Sequence, residues 1–413
     1  MSRKTLNIGL FGFGCVGYGL HQVLEQTKGL KAHVKTICVK NKDKKRQIDE
    51  ENFTYDKNDI LNDPSINVVV ELIDDANAAF EIVKEALQKK KAVVTANKKM
   101  IAEHFTELLE LQRKYEVPLL YEAACCASIP IIRNLEEYYD NDLLESFEGI
   151  VNGSTNYILT QTSVKNISYA EALKEAQEKG YAESDPTLDT GGFDAKYKLL
   201  ILIVHAFGIV VKPADIFNLG IDHISDIELA YAREKSLKIK LVAQAFKNAQ
   251  GEVSCFVIPK FVDTQSRLYN VDDVYNGVIT KTTFADTHFF LGKGAGAYPT
   301  ASAVLSDISA LTYDYQYEYK KLNQHEDLKL NQDILLKVLL RHTKEDTQVY
   351  PPYFEEISES YLNQHSGFII GIISLNNLKT ISEKKFLKHS FILFEPVTEE
   401  IKQIAPIELA ILS

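Results

Sequence analysis

Residues 6–17 read LNIGLFGFGCVG, an apolar run that ends on spaced glycines, and the chain continues as VGYGLHQVLEQ with helical spacing. The glycines fall as GxGxxG at Gly12, Gly14 and Gly17. In a strand-to-helix junction the first glycine permits a tight turn, the second lets backbone approach a pyrophosphate, and the third lets helix and strand pack closely. The first-turn amides, those of Cys15 and Val16, then meet the phosphates with the positive end of the helix dipole. Glycine-rich turns are common, so the motif alone is weak. Its place between a strand and a helix favours a dinucleotide site over a structural turn.

The pattern extends outward. VKTICVK and INVVVELI read as strands, AAFEIVKEALQKKK as an amphipathic helix and AVVTA as a strand. HFTELLELQRKY reads as a helix before PLLYEAA. Repeated β-α-β predicts an α/β, Rossmann-type domain with a parallel sheet over residues 1–130, to which 300–319 return. From 131 to 299 the pattern changes to α+β with a mixed sheet. IPIIRNLEEYYDNDLL, YAEALKEAQEKG and KYKLLILIVHAFG look helical, whereas ESFEGIVNG, VSCFVIPKFV and NGVITKTT look like strands. GKGAGAYPTASAVLSDISALTY starts another helix. The polar run 320–333 is the expected hinge. Residues 334–413 form a small α+β unit, in which ILLKVLLRH, FEEISESYL, GFIIGIISL, KKFLKHS and FILFEP read as β-α-β-α-β.

Composition excludes some classes. The chain has 413 residues, 45% of them hydrophobic, enough for two or three cored domains, and a net charge of −11. An acidic surface repels phosphate backbones and anionic lipid, so neither nucleic acid nor membrane is an expected partner. No apolar run reaches the roughly 20 residues that span a bilayer. MSRKTLNIGLFGFG is a poor signal peptide. The five cysteines, 15, 38, 125, 126 and 255, are odd in number and show no zinc spacing, as expected of free thiols in the cytoplasm.

Two stretches carry chemistry besides the glycine loop. VKTICVK is followed by NKDKKR, where NAD-selective sites usually place an acid. A basic group there can pair with the 2′-phosphate of NADP, and Lys40 is the expected contact; the bland alternative is a solvated charged loop. VVTANKK puts Lys98 just past the carboxyl end of a parallel strand, the edge at which open sheets bind ligands. Residues 180–198, GYAESDPTLDTGGFDAKYK, crowd Glu183, Asp185, Asp189 and Asp194 ahead of Lys198 and the apolar run LLILIV. A helix starting near Phe193 sets Asp194 and Lys198 four apart on one face, with Lys198 at the edge of the core. Burial lowers an ammonium pKa and neighbouring carboxylates raise it, so a proton-exchanging lysine and a surface ion pair are both open from this stretch. The ring of acids suits a substrate that carries an ammonium group.

Together these residues resemble homoserine dehydrogenases. The signature runs over Ala176, Gly180, Tyr181, Ala182, Asp185, Pro186, Asp189, Gly192, Asp194 and Lys198, with Thr190 where that family usually has an aliphatic residue. GLFGFGCVG, VVVELI, VVTANKK, EAACCASIPII, NGSTNYIL and GKGAGAYPTASAVLSD follow in the family's order, so the likeness covers roughly residues 5–315. The resemblance implies NAD(P)-dependent interconversion of L-homoserine and L-aspartate 4-semialdehyde, in threonine and methionine biosynthesis. It implies that 131–299 is the catalytic and dimerisation domain of a homodimer or higher homo-oligomer. Lys198 would be the proton donor, with Lys98 beside it at the nicotinamide. Glu183, Asp194 and Asp189 would bind substrate. Gly180 and Gly296 would approach the cofactor by backbone, and the loop with Asp74 would pass its nicotinamide side. Main-chain carbonyls of Glu122, Cys125, Ala127 and Ile129 would hold a monovalent cation such as Na+. Residues 334–413 would be a divergent ACT-like regulatory domain, although its usual acidic-Pro-Gly turn has no clear counterpart in LLRHTKEDTQVYPP.

Two departures from the family's pattern bear on cofactor affinity. Asp74-Asp75 stand where it has a glycine pair, and Cys126, Ala127 and Ser128 stand in its glycine-rich EAxVGGGIP segment. Two rival functions are an aspartate-semialdehyde-type dehydrogenase with Cys125 or Cys126 as nucleophile, and a nucleotide-binding sensor without catalysis. Neither cysteine has recognisable catalytic partners in sequence, and the retained Lys98, Glu183, Asp194 and Lys198 argue against a sensor.

Overall fold

The computed structural model describes residues 4–397 except 49, 142, 325–327 and 385–388. The chain divides into two compact units, one of Met1–Leu144, Tyr197–Asp215 and Lys281–Asp327, the other of Glu145–Lys196, Ile216–Thr280 and Leu328–Ser413.

In the first unit, β1 (Leu6–Phe11), β2 (Ala32–Cys38), β3 (Phe53–Thr54), β4 (Val68–Glu71), β5 (Ala92–Thr95) and β6 (Leu119–Leu120) form a sheet in the order β3-β2-β1-β4-β5-β6. Every pair in it is parallel. This is the doubly wound order, and it puts the glycine loop, the β2 end and the Lys98 turn at the carboxyl ends of neighbouring strands. The helices are α1 (Cys15–Gln26), α2 (Asn58–Leu61), α3 (Ala76–Gln88), α4 (Lys98–Tyr115) and the short α5 (Ile131–Arg133). The expected long helix over IPIIRNLEEYYDNDLL is replaced by α5 and a π-helical turn, Asn134–Tyr138. That turn carries the buried Glu136, whose carboxylate accepts the Tyr319 N–H at 2.6 Å and lies 2.7 Å from His205 Nδ1.

The chain continues through β7 (Leu144–Ile150), α6 (Gly153–Val164), α7 (Tyr169–Glu178), α8 (Thr187–Thr190), α9 (Phe193–Phe207), β8 (Phe217–Asn218), α10 (Asp226–Glu234), β9 (Lys238–Lys247), β10 (Val253–Val262), β11 (Tyr275–Thr282), β12 (Asp286–Lys293) and α11 (Ala297–Leu311). The tail adds β13 (Leu335–Thr343), β14 (Phe354–Leu362), β15 (Ser366–Ser374), α12 (Leu375–Ser382) and β16 (Ser390–Pro396). In the second unit the sheet runs β11-β7-β9-β10-β16-β13-β15-β14, with β8 beside β10. It is mixed: β9 lies antiparallel to β10, whereas β8 and β16 lie parallel to it.

The tail corrects one expectation. FEEISESYL is no helix but β14, an edge strand antiparallel to β15 and mostly exposed. Ile357 and Tyr361, four apart, mimic a helical stripe there. The tail's helix is α12; the one expected in KKFLKHS falls largely outside the described residues. Between β13 and β14 the chain makes only the 3-10 turn Pro351–Tyr353, and the fully buried Tyr350 fills the core at that point. The tail strands lie in the order fourth, first, third, second, and β16 continues the sheet onto β10 at Lys260–Leu393. Phe256 and Ile258 of β10 share one core with Leu336, Val338, Ile369, Leu378 and Phe391. A part-buried ion pair, Arg341 Nε to Glu228 at 2.8 Å, ties β13 to α10.

Among the described residues, no helix is long and apolar enough to cross a membrane.

Candidate active site

The glycine loop has the geometry its spacing demands. Gly12 has φ +91, and a Cβ there would lie 2.5 Å from the Leu72 carbonyl. A Cβ on Gly17 would lie 2.6 Å from the Gly12 carbonyl, so loop and helix pack without side chains between them. Gly14 is the N-cap of α1, offers no side-chain cap, and its missing Cβ faces open space. Cys15 and Val16 therefore begin the helix with amides that no cap side chain takes. Lys40, just past β2, is exposed. The basic loop behind it is braced by Arg46, which donates to the Lys44 carbonyl at 2.9 Å and lies over the Phe53 ring. Gly296, φ +123, is the N-cap of α11.

Past β4, Asp74 is exposed, and Asp75 has a structural duty: its carboxylate caps α3, accepting the N–H groups of Asn77 and Ala78 at 3.0 Å each. That cap accounts for half of the aspartate pair. Lys98, half-buried, is the first residue of α4, whose N-cap Asn97 accepts the Met100 N–H at 3.0 Å.

The segment 122–129 is buried except at Ser128. Glu122 caps α5 with its carboxylate, which accepts the N–H groups of Ile132 and Arg133, each at 2.9 Å. Its own N–H donates to Asp307, which pairs with Arg133 at 2.8 Å. Burial, then the Asp307 charge, pushes the Glu122 carboxyl up to about 8; burial lifts Asp307 to about 6 against the pull of Arg133. Among the described residues no cluster of His, Cys, Asp or Glu could hold a metal. The expected ligands, the carbonyls of Glu122, Cys125, Ala127 and Ile129, are hard oxygen donors whatever the side chains; those of Glu122 and Ile129 already accept the N–H groups of Cys125 (3.2 Å) and Ile131 (2.8 Å) and would meet an ion with their second lone pair. Cys126 (φ +53) and Ala127 (φ +43) both keep the left-handed backbone that glycine would adopt freely. Both cysteines are buried, as core thiols are.

Lys198 is 7% exposed and sits early in α9. The Cys125 thiol donates to the Lys198 carbonyl at 3.8 Å. Further along α9, His205 is pinned between Glu136 (2.7 Å) and the Tyr121 hydroxyl (2.9 Å), which fixes the helix axially.

In the second unit the acids sort into two groups. Asp194, 4% exposed, and the half-buried Asp189 are brought together by Asn152. Its amide nitrogen donates to Asp189 Oδ1 at 2.7 Å and to Asp194 Oδ2 at 2.8 Å. The amide oxygen accepts the Thr155 N–H at 2.8 Å and so caps α6. Within NGSTNYIL the sequence marks only one of these two uses of Asn152. An asparagine ahead of Gly-Ser-Thr after a strand is an N-cap signal, but its second use is set by the fold. Glu183 stays exposed in the loop after α7, where Gln177 donates to its carbonyl at 3.0 Å. Gly180, φ +73, ends α7 with open space at its missing Cβ.

Comparison with known proteins identifies the family. Residues 12–122 match the family profile described as homoserine dehydrogenase, NAD binding domain, and residues 130–309 match that of homoserine dehydrogenase. The chain is 39% identical over 314 residues to a homoserine dehydrogenase of Synechocystis, an alignment spanning 74% of this chain and 72% of the relative. It is 34% identical over 317 residues to that of Bacillus subtilis, spanning 75% and 73%. A crystal structure of a homoserine dehydrogenase from Thiobacillus denitrificans superposes with TM-score 0.84 at 29% identity, covering 95% of this chain and 98% of that one. A hyperthermophilic archaeal homoserine dehydrogenase mutant in complex with NADPH superposes with TM-score 0.65 at 27% identity, covering 76% and 100%. The chain belongs to the homoserine dehydrogenase family of NAD(P)-dependent oxidoreductases.

Proposed function

We propose that Lys198 gives the proton to the aldehyde oxygen as L-aspartate 4-semialdehyde is reduced to L-homoserine, with Lys98 beside the reacting oxygen. Hydride arriving at the aldehyde carbon builds negative charge on oxygen. A positioned ammonium stabilises that charge and supplies the proton. The nicotinamide cofactor, when bound, supplies or takes the hydride. Gly12, Gly14, Cys15, Val16 and Gly17 would hold its pyrophosphate, Gly180 and Gly296 would approach it by backbone, and Asp74 lies on the loop assigned to its nicotinamide end. Lys40 would pair with a 2′-phosphate, which makes NADP the proposed cofactor. The carbonyls of Glu122, Cys125, Ala127 and Ile129 would hold a monovalent cation, which would supply a fixed positive charge to that loop.

One observation carries the substrate assignment. Asn152 gives both amide protons to Asp189 and Asp194, an arrangement that favours two ionised carboxylates in a mostly buried place. A pair of anions kept there is suited to the ammonium of an amino-acid substrate, and Lys198 follows Asp194 by one helical turn on α9. Glu183, on its exposed loop, would complete the ring. The active species would be a homodimer joined through the mixed sheet.

The test is NADPH and NADH oxidation with aspartate semialdehyde by wild type and Lys198→Ala. Loss of the general acid should slow turnover by about 10²-fold or more with the fold intact by circular dichroism. A folded variant that keeps more than about a tenth of the rate removes the proton-donor assignment.

A further inference from the structure

We propose that Glu71 is a positioning residue for this reaction, locking the turn that presents Lys98 and the loop that carries Asp74. The inference rests on the reading of Lys98 as a member of the reacting centre. Glu71 ends β4 and Thr95 ends β5; they are register partners in the parallel pair, and both are fully buried. A closed circuit of hydrogen bonds joins the two strand ends. The Ile73 N–H donates to Glu71 Oε1 at 2.6 Å, and the Thr95 hydroxyl donates to Glu71 Oε2 at 2.5 Å. The Asn97 N–H donates to the Thr95 hydroxyl oxygen at 3.0 Å, and the Asn97 side-chain amide donates to the Ile73 carbonyl at 3.1 Å. Asn97 is also the N-cap of α4, and Lys98 is the next residue. The circuit thus fixes both sides of the strand-end crevice at once.

This placement is costly for the sheet. Val68, Val69, Val70, Val93 and Val94 around it are all buried, and an apolar residue at 71 would suit their packing better. Burial holds the Glu71 carboxyl up to about 7, against the pull of Thr95 and the Ile73 amide. What the carboxylate supplies instead is two acceptors at fixed angles, and no apolar side chain offers either. Without them the Ile73 amide and the Thr95 hydroxyl lose their partner, and the 72–75 loop and the Asn97-Lys98 turn can move independently. A misplacement of about 1 Å at a reacting group can cost about 10²-fold in rate.

The experiment measures kcat and the KM for both substrates in the full-length chain, with the folded fraction checked by circular dichroism, for Glu71→Leu, Glu71→Gln, Thr95→Val and Lys98→Ala. Glu71→Leu and the isosteric Thr95→Val should each lower kcat by about 10-fold or more with KM changed by less than about threefold. Glu71→Gln, which still offers an acceptor to Ile73 and a polar link to Thr95, should recover kcat to within about fivefold of wild type. If Glu71 acts through Lys98, adding Thr95→Val to Lys98→Ala should slow the enzyme no further. Folded Glu71→Leu or Thr95→Val with wild-type kcat overturns the inference, as does a loss that merely follows the folded fraction. Should Glu71→Leu not fold, Thr95→Val and Glu71→Gln decide alone. Lys98→Ala with undiminished kcat overturns the Lys98 reading and this one with it, whereas an inactive Lys98→Ala beside an unaffected Thr95→Val overturns this inference alone.

Discussion

Asn152→Asp separates the two jobs of one side chain. Aspartate caps a helix as well as asparagine does, so the bond from the Thr155 N–H at 2.8 Å survives. The other side of the amide is a different matter. Two donors, 2.7 Å from Asp189 and 2.8 Å from Asp194, become a third carboxylate oxygen facing both acids. At about 3 Å and an effective dielectric of 20, each anion pair repels by about 5 kcal/mol. Protonating one carboxyl of ordinary pKa near 4 at pH 7 costs about 4 kcal/mol, at about 1.4 kcal/mol per pH unit. The proton is the cheaper solution, so the folded variant should bind one proton that the unfolded chain releases. The sign follows: the native state holds more protons, so stability falls as pH rises above the unfolded carboxyl range. The penalty relative to wild type should be small near pH 5 and grow by about 1.4 kcal/mol per unit, to about 3–4 kcal/mol at pH 7. Urea unfolding of both proteins at pH 5, 6, 7 and 8 measures it. Wild-type and variant stabilities that run parallel across these pH values would refute the bridging role, whatever the size of the offset.

Two further outcomes are expected. Lys40→Asp exchanges a cation for an anion at the end of β2, so selectivity should move from NADPH toward NADH by about 10-fold or more, the worth of one charge-assisted contact; unchanged kcat/KM ratios would place 2′-phosphate reading elsewhere. Ala127, at φ +43 and 6% exposed, pits relief of left-handed strain against a lost buried methyl. Ala127→Gly should therefore shift stability by less than about 1 kcal/mol, whereas the β-branched Ala127→Val should cost about 2 kcal/mol or more in thermal or urea unfolding.

Much of the first unit was legible because its signals are local. The glycine loop, the buried valine runs VVVE and AVVT, and the cap-helix-strand rhythm each follow from short-range rules, and a parallel sheet is what such units build. The tail misled for an equally local reason. FEEISESYL has glutamates of good helix propensity and apolar residues four apart, but its place is set by pairing with β15, and an edge strand exposed on both sides has no period-2 burial to announce it. The site divides in the same way. That Asn152 would cap a helix follows from its neighbours; that its amide protons go to Asp189 and Asp194, 37 and 42 residues on, does not. Glu71 is the same case, a carboxylate whose hydroxyl partner lies 24 residues away in the next strand. A polar group at the end of an apolar strand tells the reader that a partner must exist, because burying it alone costs too much. It cannot say which partner, since the fold chooses among all that its strand order brings near. The departures at 74–75 and 126–127 show both halves of that rule. Asp75 is spent on capping α3, a use visible in the residues beside it. Cys126 and Ala127 hold a left-handed turn that their own side chains oppose. The surrounding buried segment keeps that geometry, which is the reason to expect the carbonyls at 122–129 to retain the arrangement a glycine-rich loop would give them.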